Sequence, residues 1–264
     1  MRLCTLGDLL LDVIVRLESP LAPGDDATAA TSLEPGGQAA NVAAWAALLG
    51  AEARLVAVQA DDDEGAFARR GLDARGIEVL GPTGARTGVV VSLVQPDGSR
   101  TMASDRGSAP DLAPNDLEPE WLACDALHLS GYSIMREPIA GAAARAAELA
   151  RANGATVSVD LSSWTHIERF GDTMRATLNR IGPDLVFGNE REWKAFGDFE
   201  APTVVVKRGE RGVRVNGGDY DAHPADVVDT TGAGDALAAG FLVGGVEVGL
   251  AAAARCVAQV GAMP

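Results

Sequence analysis

Asp229-Thr230-Thr231-Gly232-Ala233-Gly234-Asp235, followed by ALAAGFL at 236–242, joins a flexible glycine turn to a carboxylate at the start of an apolar helix. Upstream, VVD reads as the end of a strand or a short approach segment. Downstream, Ala236, Leu237, Ala238, Ala239, Phe241 and Leu242 read as a buried helix. The turn therefore falls at a helix N-terminus. There the backbone N–H groups of Gly232, Ala233, Gly234 and Asp235 lack intrahelical partners and suit a phosphate or a developing anion. A carboxylate in such a turn repels phosphate, so Asp235 needs a reason to be there. It has one if it accepts a proton from a nucleophile held beside the phosphate. It has another as a first-turn acid favoured by the helix dipole, and the run alone leaves both open.

Working outward, strands and helices alternate. LCTLG is a first strand; Gln38 to Leu49 is an apolar helix stopped by Gly50; ARLVAV is the next strand. Asp63 to Arg75 reads as a polar-faced helix ended by Gly76. Residues 125–130 (DALHLS) read as a strand, and Glu137 to Asn153 as an alanine-rich helix with Pro138 in its first turn. VSVD (157–160), DLVFGN (184–189) and TVVVKRG (203–209) are further buried strands. This alternation predicts an α/β fold with a doubly wound, mostly parallel central sheet and helices on both faces. Two segments break the rhythm. Residues 87–104 alternate like a β-hairpin around Pro96-Asp97-Gly98, and Val13 to Leu17 with the stretch to Leu33 offer partner strands for a small separate sheet.

Composition narrows the function classes. With 264 residues, 47% of them hydrophobic, the chain is expected to form one α/β domain over residues 1–264. A net charge of −15 and a pI near 4.5 argue against nucleic acid and anionic membrane surfaces as partners. An acidic protein that binds a polyphosphate must then gather positive potential locally. Lys194 and Lys207 are the two lysines, and neither follows a glycine, which excludes a G-x-x-x-x-G-K-[ST] loop. Cys4, Cys124 and Cys256 are scattered and odd in number, so neither a disulfide framework nor a metal spacing emerges. The N-terminus has no signal-peptide pattern and no apolar run reaches about 18 residues, so a reducing cytoplasm is the expected setting. GAGDALAAG lacks the G-x-G-x-x-G spacing and lies far from the first strand, which disfavours an NAD-dependent oxidoreductase.

D-T-x-G-A-G-D before a small-residue helix closely resembles the C-terminal signature of the ribokinase-like, or PfkB-type, carbohydrate kinases. The second signature of that family is matched by Gly36-Gly37-Gln38-Ala39-Ala40-Asn41, and the resemblance spans essentially the whole chain. It implies an ATP- and Mg²⁺-dependent kinase acting on a small sugar or sugar-like substrate, with Asp235 as general base and the 232–235 turn as anion hole. It also implies a β-lid at about 13–34 and 86–105 that covers the sugar and forms a homodimer interface; an ordinary edge hairpin is the alternative. By resemblance, Asp12 and Asn41 bond sugar hydroxyls, Gly36 and Gly37 let the sugar approach the backbone, and Gln38 belongs to the same site. Open α/β sheets bind ligands beyond the carboxyl ends of their strands; Asp12, just past the first strand, and Asn41 can face one such crevice. Asn189 and Glu192 form N-x-x-E, which either orders waters around Mg²⁺ or caps a helix. Lys207 with Gly209 and Gly212 resembles the nucleotide-side turn, and either reaches the phosphates or is a solvated charged turn. Asp229 and Thr231 match positions that in some relatives support a monovalent cation such as K⁺.

There are departures from the pattern. Gln38 replaces the lysine of GGKGAN and Leu10 a polar residue, so ribose is not the favoured substrate. Gln59 and Ala60 precede the D-D-x-x-G run where small residues are usual, and few residues separate Trp193 from Thr203, so the nucleotide side, like the ending at GAMP, is expected to be pared down. Arg106, in Arg106-Gly107-Ser108-Ala109, is placed to meet a substrate carboxylate, as in a 2-keto-3-deoxygluconate-type kinase, though the tyrosine-rich run before it is absent. A nucleoside kinase on the same scaffold and a non-catalytic sugar sensor are the other readings. Tyr132 either lines the pocket or edges the core.

Overall fold

The structure is a computed structural model that describes residues 1–97 and 100–264. Burial of period two in the strands sorts it into layers. β1 (Arg2–Leu6) sends Leu3 into one core and Cys4 and Leu6 into the other, as a pleated strand covered on both faces must. The chain then leaves the central sheet through β2 (Leu10–Leu17) and β3 (Ala29–Gly36), and returns in α1 (Gln38–Leu48) and β4 (Glu52–Val56). The two-residue β5 (Gln59–Ala60), then α2 (Asp63–Asp73), β6 (Glu78–Leu80) and the two-residue β7 (Thr83–Gly84) follow. β8 (Gly88–Val94) and β9 (Arg100–Asp105) are the arms of the expected hairpin; Gly98 of its expected turn lies outside the described residues.

Beyond short 3₁₀ turns come β10 (Ala126–Ser130), α3 (Ile139–Ala152), β11 (Thr156–Asp160), α4 (Trp164–Ile181), β12 (Leu185–Asn189) and α5 (Glu190–Phe196). The chain closes with β13 (Thr203–Lys207), β14 (Val213–Val215), β15 (Gly218–Tyr220), α6 (Ala233–Gly244) and α7 (Val246–Val257). The central sheet has the order β15-β14-β13-β12-β11-β10-β1-β4-β6, parallel from β6 to β13 and antiparallel at its β14–β15 edge. Apolar residues of α1, α2, α6 and α7 fill one face and those of α3 and α4 the other. Because the chain winds outward from β1 and then from β10, the switch point lies between those two strands, where their carboxyl ends leave a crevice.

β3, β2, β8 and β9 pair in that order as a sheet separate from the central one. Asp12 lies past the first strand, inside β2, opposite Glu34 of β3 and Val90 of β8. One expectation needs adjusting. Pro138 is the N-cap of α3 and not part of its first turn. α4 went unread in the sequence although Ile167, Met174, Leu178 and Ile181 recur at helical spacing.

Candidate active site

The turn before α6 is built around one backbone requirement. Gly232 adopts φ +76°, and a Cβ there would lie 2.6 Å from the Ala262 carbonyl oxygen, so this position admits glycine alone. Trp45 of α1, fully buried, donates from Nε1 to that same carbonyl at 2.8 Å and fixes the backing segment. Asp229 ties the turn from the other side. Its Oδ1 accepts from the Thr231 N–H at 2.8 Å and hydroxyl at 2.5 Å, and its Oδ2 from the Gly261 N–H at 3.1 Å. Arg100 of the lid approaches the same carboxylate at 3.7 Å. With the turn so held, the Ala233 N–H donates to the Thr230 carbonyl at 3.4 Å and the Ala236 N–H to that of Gly232 at 2.8 Å. The N–H groups between them, those of Gly234 and Asp235, are the ones suited to an anion.

Asp235, 8% exposed, sits just inside that helix, and its Oδ2 accepts from Asn41 Nδ2 at 2.8 Å. Burial pushes its carboxyl up to about 7, while the hydrogen bond from Asn41 pulls the other way. The Oδ1 of Asn41 is buried and has no hydrogen-bond partner among the described residues. Gln38, one turn earlier on α1, adds a hydrogen bond that steadies the Asp235 carboxylate. Its Oε1 accepts from the Ser130 and Ser162 hydroxyls.

The lid side is equally tight. A Cβ on Gly36 would fall 2.1 Å from Asp12 Oδ1, and one on Gly37, at φ +105°, 2.1 Å from the Asp8 carbonyl oxygen. Both glycines thus admit close approach of the protein's own chain. Burial pushes the Asp12 carboxyl up to about 7, opposed by Arg100 and reinforced by Glu34. Asp8 holds the Arg106 guanidinium through Nε and Nη2 as a bidentate pair at 2.6 and 2.7 Å, with Nη1 outside that pair. Arg106 also lies over the Tyr132 ring at 5.8 Å, so Tyr132 belongs to this wall of the crevice.

On the nucleotide side, Lys207 places Nζ 2.6 Å from Asp160 Oδ2 and 3.0 Å from where a Cβ on Gly234 would be. Its side chain is 14% exposed, so the ammonium beside the turn is largely withdrawn from solvent. Gly212 is explained by the chain: at φ +77° its Cβ would strike the Tyr220 carbonyl oxygen at 2.0 Å, whereas Gly209 is exposed in its turn. Asn189 and Glu192 form a capping box on α5. Asn189 Oδ1 accepts from the Arg191 and Glu192 N–H groups, each at 2.9 Å. Glu192 Oε2 accepts from the Asn189 N–H at 2.7 Å and Oε1 from Asn189 Nδ2 at 2.6 Å. The capping alternative describes what these two side chains do in the structure. Sequence reasoning passed over Asp8 and Asp160, which stand at the carboxyl ends of β1 and β11 where the fold rule directs ligands.

The chain is 33% identical over 279 residues to the ATP-dependent ribose-1-phosphate kinase of Halopiger xanaduensis, covering 97% of this chain and 90% of that protein. Adenosine kinase from Sinorhizobium meliloti superposes with a TM-score of 0.86 at 26% identity, covering 100% and 95% of the two chains. A ribokinase-type protein from E. coli, solved with ATP and Mg²⁺, superposes at 0.81 with 22% identity, covering 99% and 94%. The profile described as pfkB family carbohydrate kinase matches residues 1–263, and the chain belongs to that family of ATP-dependent carbohydrate kinases.

Proposed function

We propose that this kinase passes the terminal phosphoryl group of ATP to a hydroxyl of a small sugar or sugar-like molecule, with Asp235 taking the hydroxyl proton. The observation that carries the reading is a buried carboxylate, pushed up to about 7, at the mouth of a helix N-terminus and held by Asn41. A base of that strength is half ionised near neutral pH, where proton transfer is most effective. The unpartnered Asn41 Oδ1 accepts from a second hydroxyl, and Asp12 reaches a third from the lid. The N–H groups of Gly234 and Asp235 with the Lys207 ammonium receive the charge on the moving phosphoryl group.

Asp160, Glu192 and Asp235 place net negative charge around one ammonium, but the described residues hold no cluster of three ligating side chains, so Mg²⁺ would be held chiefly by the ATP phosphates and water. When bound with ATP it would neutralise phosphate charge, with Glu192 and Asn189 acting through water. The loop of Asp229 and Thr231 is the place for K⁺. The substrate panel includes sugar phosphates for a specific reason. Arg100 lies between Asp229 and Asp12, where it meets an anionic group on the substrate, and the Halopiger relative is a ribose-1-phosphate kinase. A nucleoside acceptor is the second reading, supported by the likeness to adenosine kinase. We place the protein in the cytoplasm, as a dimer joined by the outer face of its lid.

Coupled ADP release with Mg-ATP against pentoses, hexoses, ribose 1-phosphate, ketodeoxy acids and nucleosides tests the reading. Turnover with one class, lost in Asp235→Asn, supports it. Sugar-induced thermal stabilisation without turnover would instead mark a sensor.

A further inference from the structure

Asp160 belongs to no motif, yet it is 1% exposed and its carboxylate is fully engaged. Oδ2 meets Lys207 Nζ at 2.6 Å, and Oδ1 accepts from the Ser162 N–H at 2.9 Å. Ser162 adopts φ +70°, a left-handed conformation unfavourable for a residue with a Cβ, and such strain persists where surrounding structure enforces it. Here the enforcing contacts are visible. The Ser162 hydroxyl accepts from the Gly131 N–H at 2.9 Å and bonds Gln38 Oε1, and Gln38 in turn bonds Asp235. A chain of contacts therefore runs from the ammonium through Asp160, Ser162 and Gln38 to the proposed base.

The lysine comes from β13, two strands away from β11, so its long side chain must be pulled across β12 to reach the turn. Asp160 supplies that pull. Glu192 from α5 and Asp235 from α6 also face the ammonium, and neither is hydrogen-bonded to it among the described contacts. A buried ion pair is weak as a stabilising device, since desolvation offsets most of the attraction. Nζ stands 3.0 Å from where a Cβ on Gly234 would be, which puts the charge at the turn itself.

We infer that Asp160 is a positioning residue that draws Lys207 across the sheet and holds its ammonium over the 232–235 turn, in the path of the transferring phosphoryl group. This rests on the phosphotransfer reading. A charge placed for the moving group raises kcat more than it improves substrate binding.

The test measures kcat, the KM for the sugar and calorimetric binding of a non-hydrolysable Mg-ATP analogue in Asp160→Asn, Asp160→Glu, Lys207→Met and the Asp160→Asn/Lys207→Met pair. Asp160→Asn should lower kcat by about thirtyfold or more while sugar KM and analogue Kd each change less than about threefold. Asp160→Glu should recover part of the loss, and the double variant should be no slower than Lys207→Met alone. Should Asp160→Asn not fold, Asp160→Glu carries the test, because a displaced charge must still cost kcat about threefold. Unchanged kcat in a folded Asp160 variant, or additive losses in the pair, overturns the inference. Absence of turnover in the wild-type protein overturns the phosphotransfer reading instead.

Discussion

Asp235 has to be ionised to act and buried to be placed, and the two demands conflict in a measurable way. Its folded carboxyl stands at about 7 against an unfolded value of about 3.9, so the fold favours the neutral acid. Stability from this group is complete below about pH 4 and is lost as pH rises through about 7. Asp235→Asn carries no such charge. We expect its Tm to exceed that of the wild type by about 2 °C or more at pH 8, with the gap closing by pH 4, as read by scanning calorimetry. The same variant should lose at least about a hundredfold in kcat, and wild-type kcat/KM should rise with pH through about 7. A wild-type rate that falls over that interval would remove the base assignment. At this scale the sequence was informative where partners are neighbours in the chain, as in the 36–41 and 229–235 runs. Asp8 with Arg106, Asp160 with Lys207 and Ser162 with Gln38 are separated by 98, 47 and 124 residues, so topology alone joins them.

Among the elements, the glycine turns divide by what surrounds them. Gly182 ends α4 at φ +56° with nothing near its absent Cβ, so Gly182→Ala should cost about 1 kcal/mol, the intrinsic penalty of the left-handed region. Gly232 has a similar φ but faces the Ala262 backbone at 2.6 Å, which cannot yield without moving the segment that Trp45 and Asp229 bind. Gly232→Ala should therefore cost about 3 kcal/mol in denaturant unfolding and lower kcat as well. Equal costs for the two variants would show that the turn is soft. Most strands and helices were legible because both faces of the sheet are covered, which produces short apolar runs between turn residues. The second strand was read short, from Val13, because Leu10–Leu17 pairs with β3 and β8, partners that become visible when that sheet is assembled. The apolar pattern of α4 is interrupted by Gly171 and by charges, and it gains meaning from packing beside α3 and α5 in the second core.

For the molecule as a whole, the lid is a two-faced sheet, and its faces do different things. Asp12, Ile14, Val90 and Ser92 share the side turned toward the crevice, with Arg100 at its edge reaching Asp229. On the opposite side Val13 lies between Leu33 and Val91, and Val15 lies beside Leu93, giving an apolar band in which Leu33 is 51% exposed. A net charge of −15 repels copies of this chain at long range, so association through that band must come from short-range apolar burial. A two-fold arrangement brings each residue of the band near its own symmetry mate, so one new acid places two like charges at the interface. Sedimentation velocity should show a dimer for the wild type and a monomer for Leu33→Glu and Val91→Glu, because such like-charge pairs cost several kcal/mol. The dissociated variants should retain the wild-type chemistry of Asp235 but show a raised sugar KM, since a lid without its partner sheet closes less firmly over the crevice. A wild-type protein that sediments as a monomer at its highest soluble concentration would remove the dimer and leave the lid to close unaided through Arg100 and Asp229.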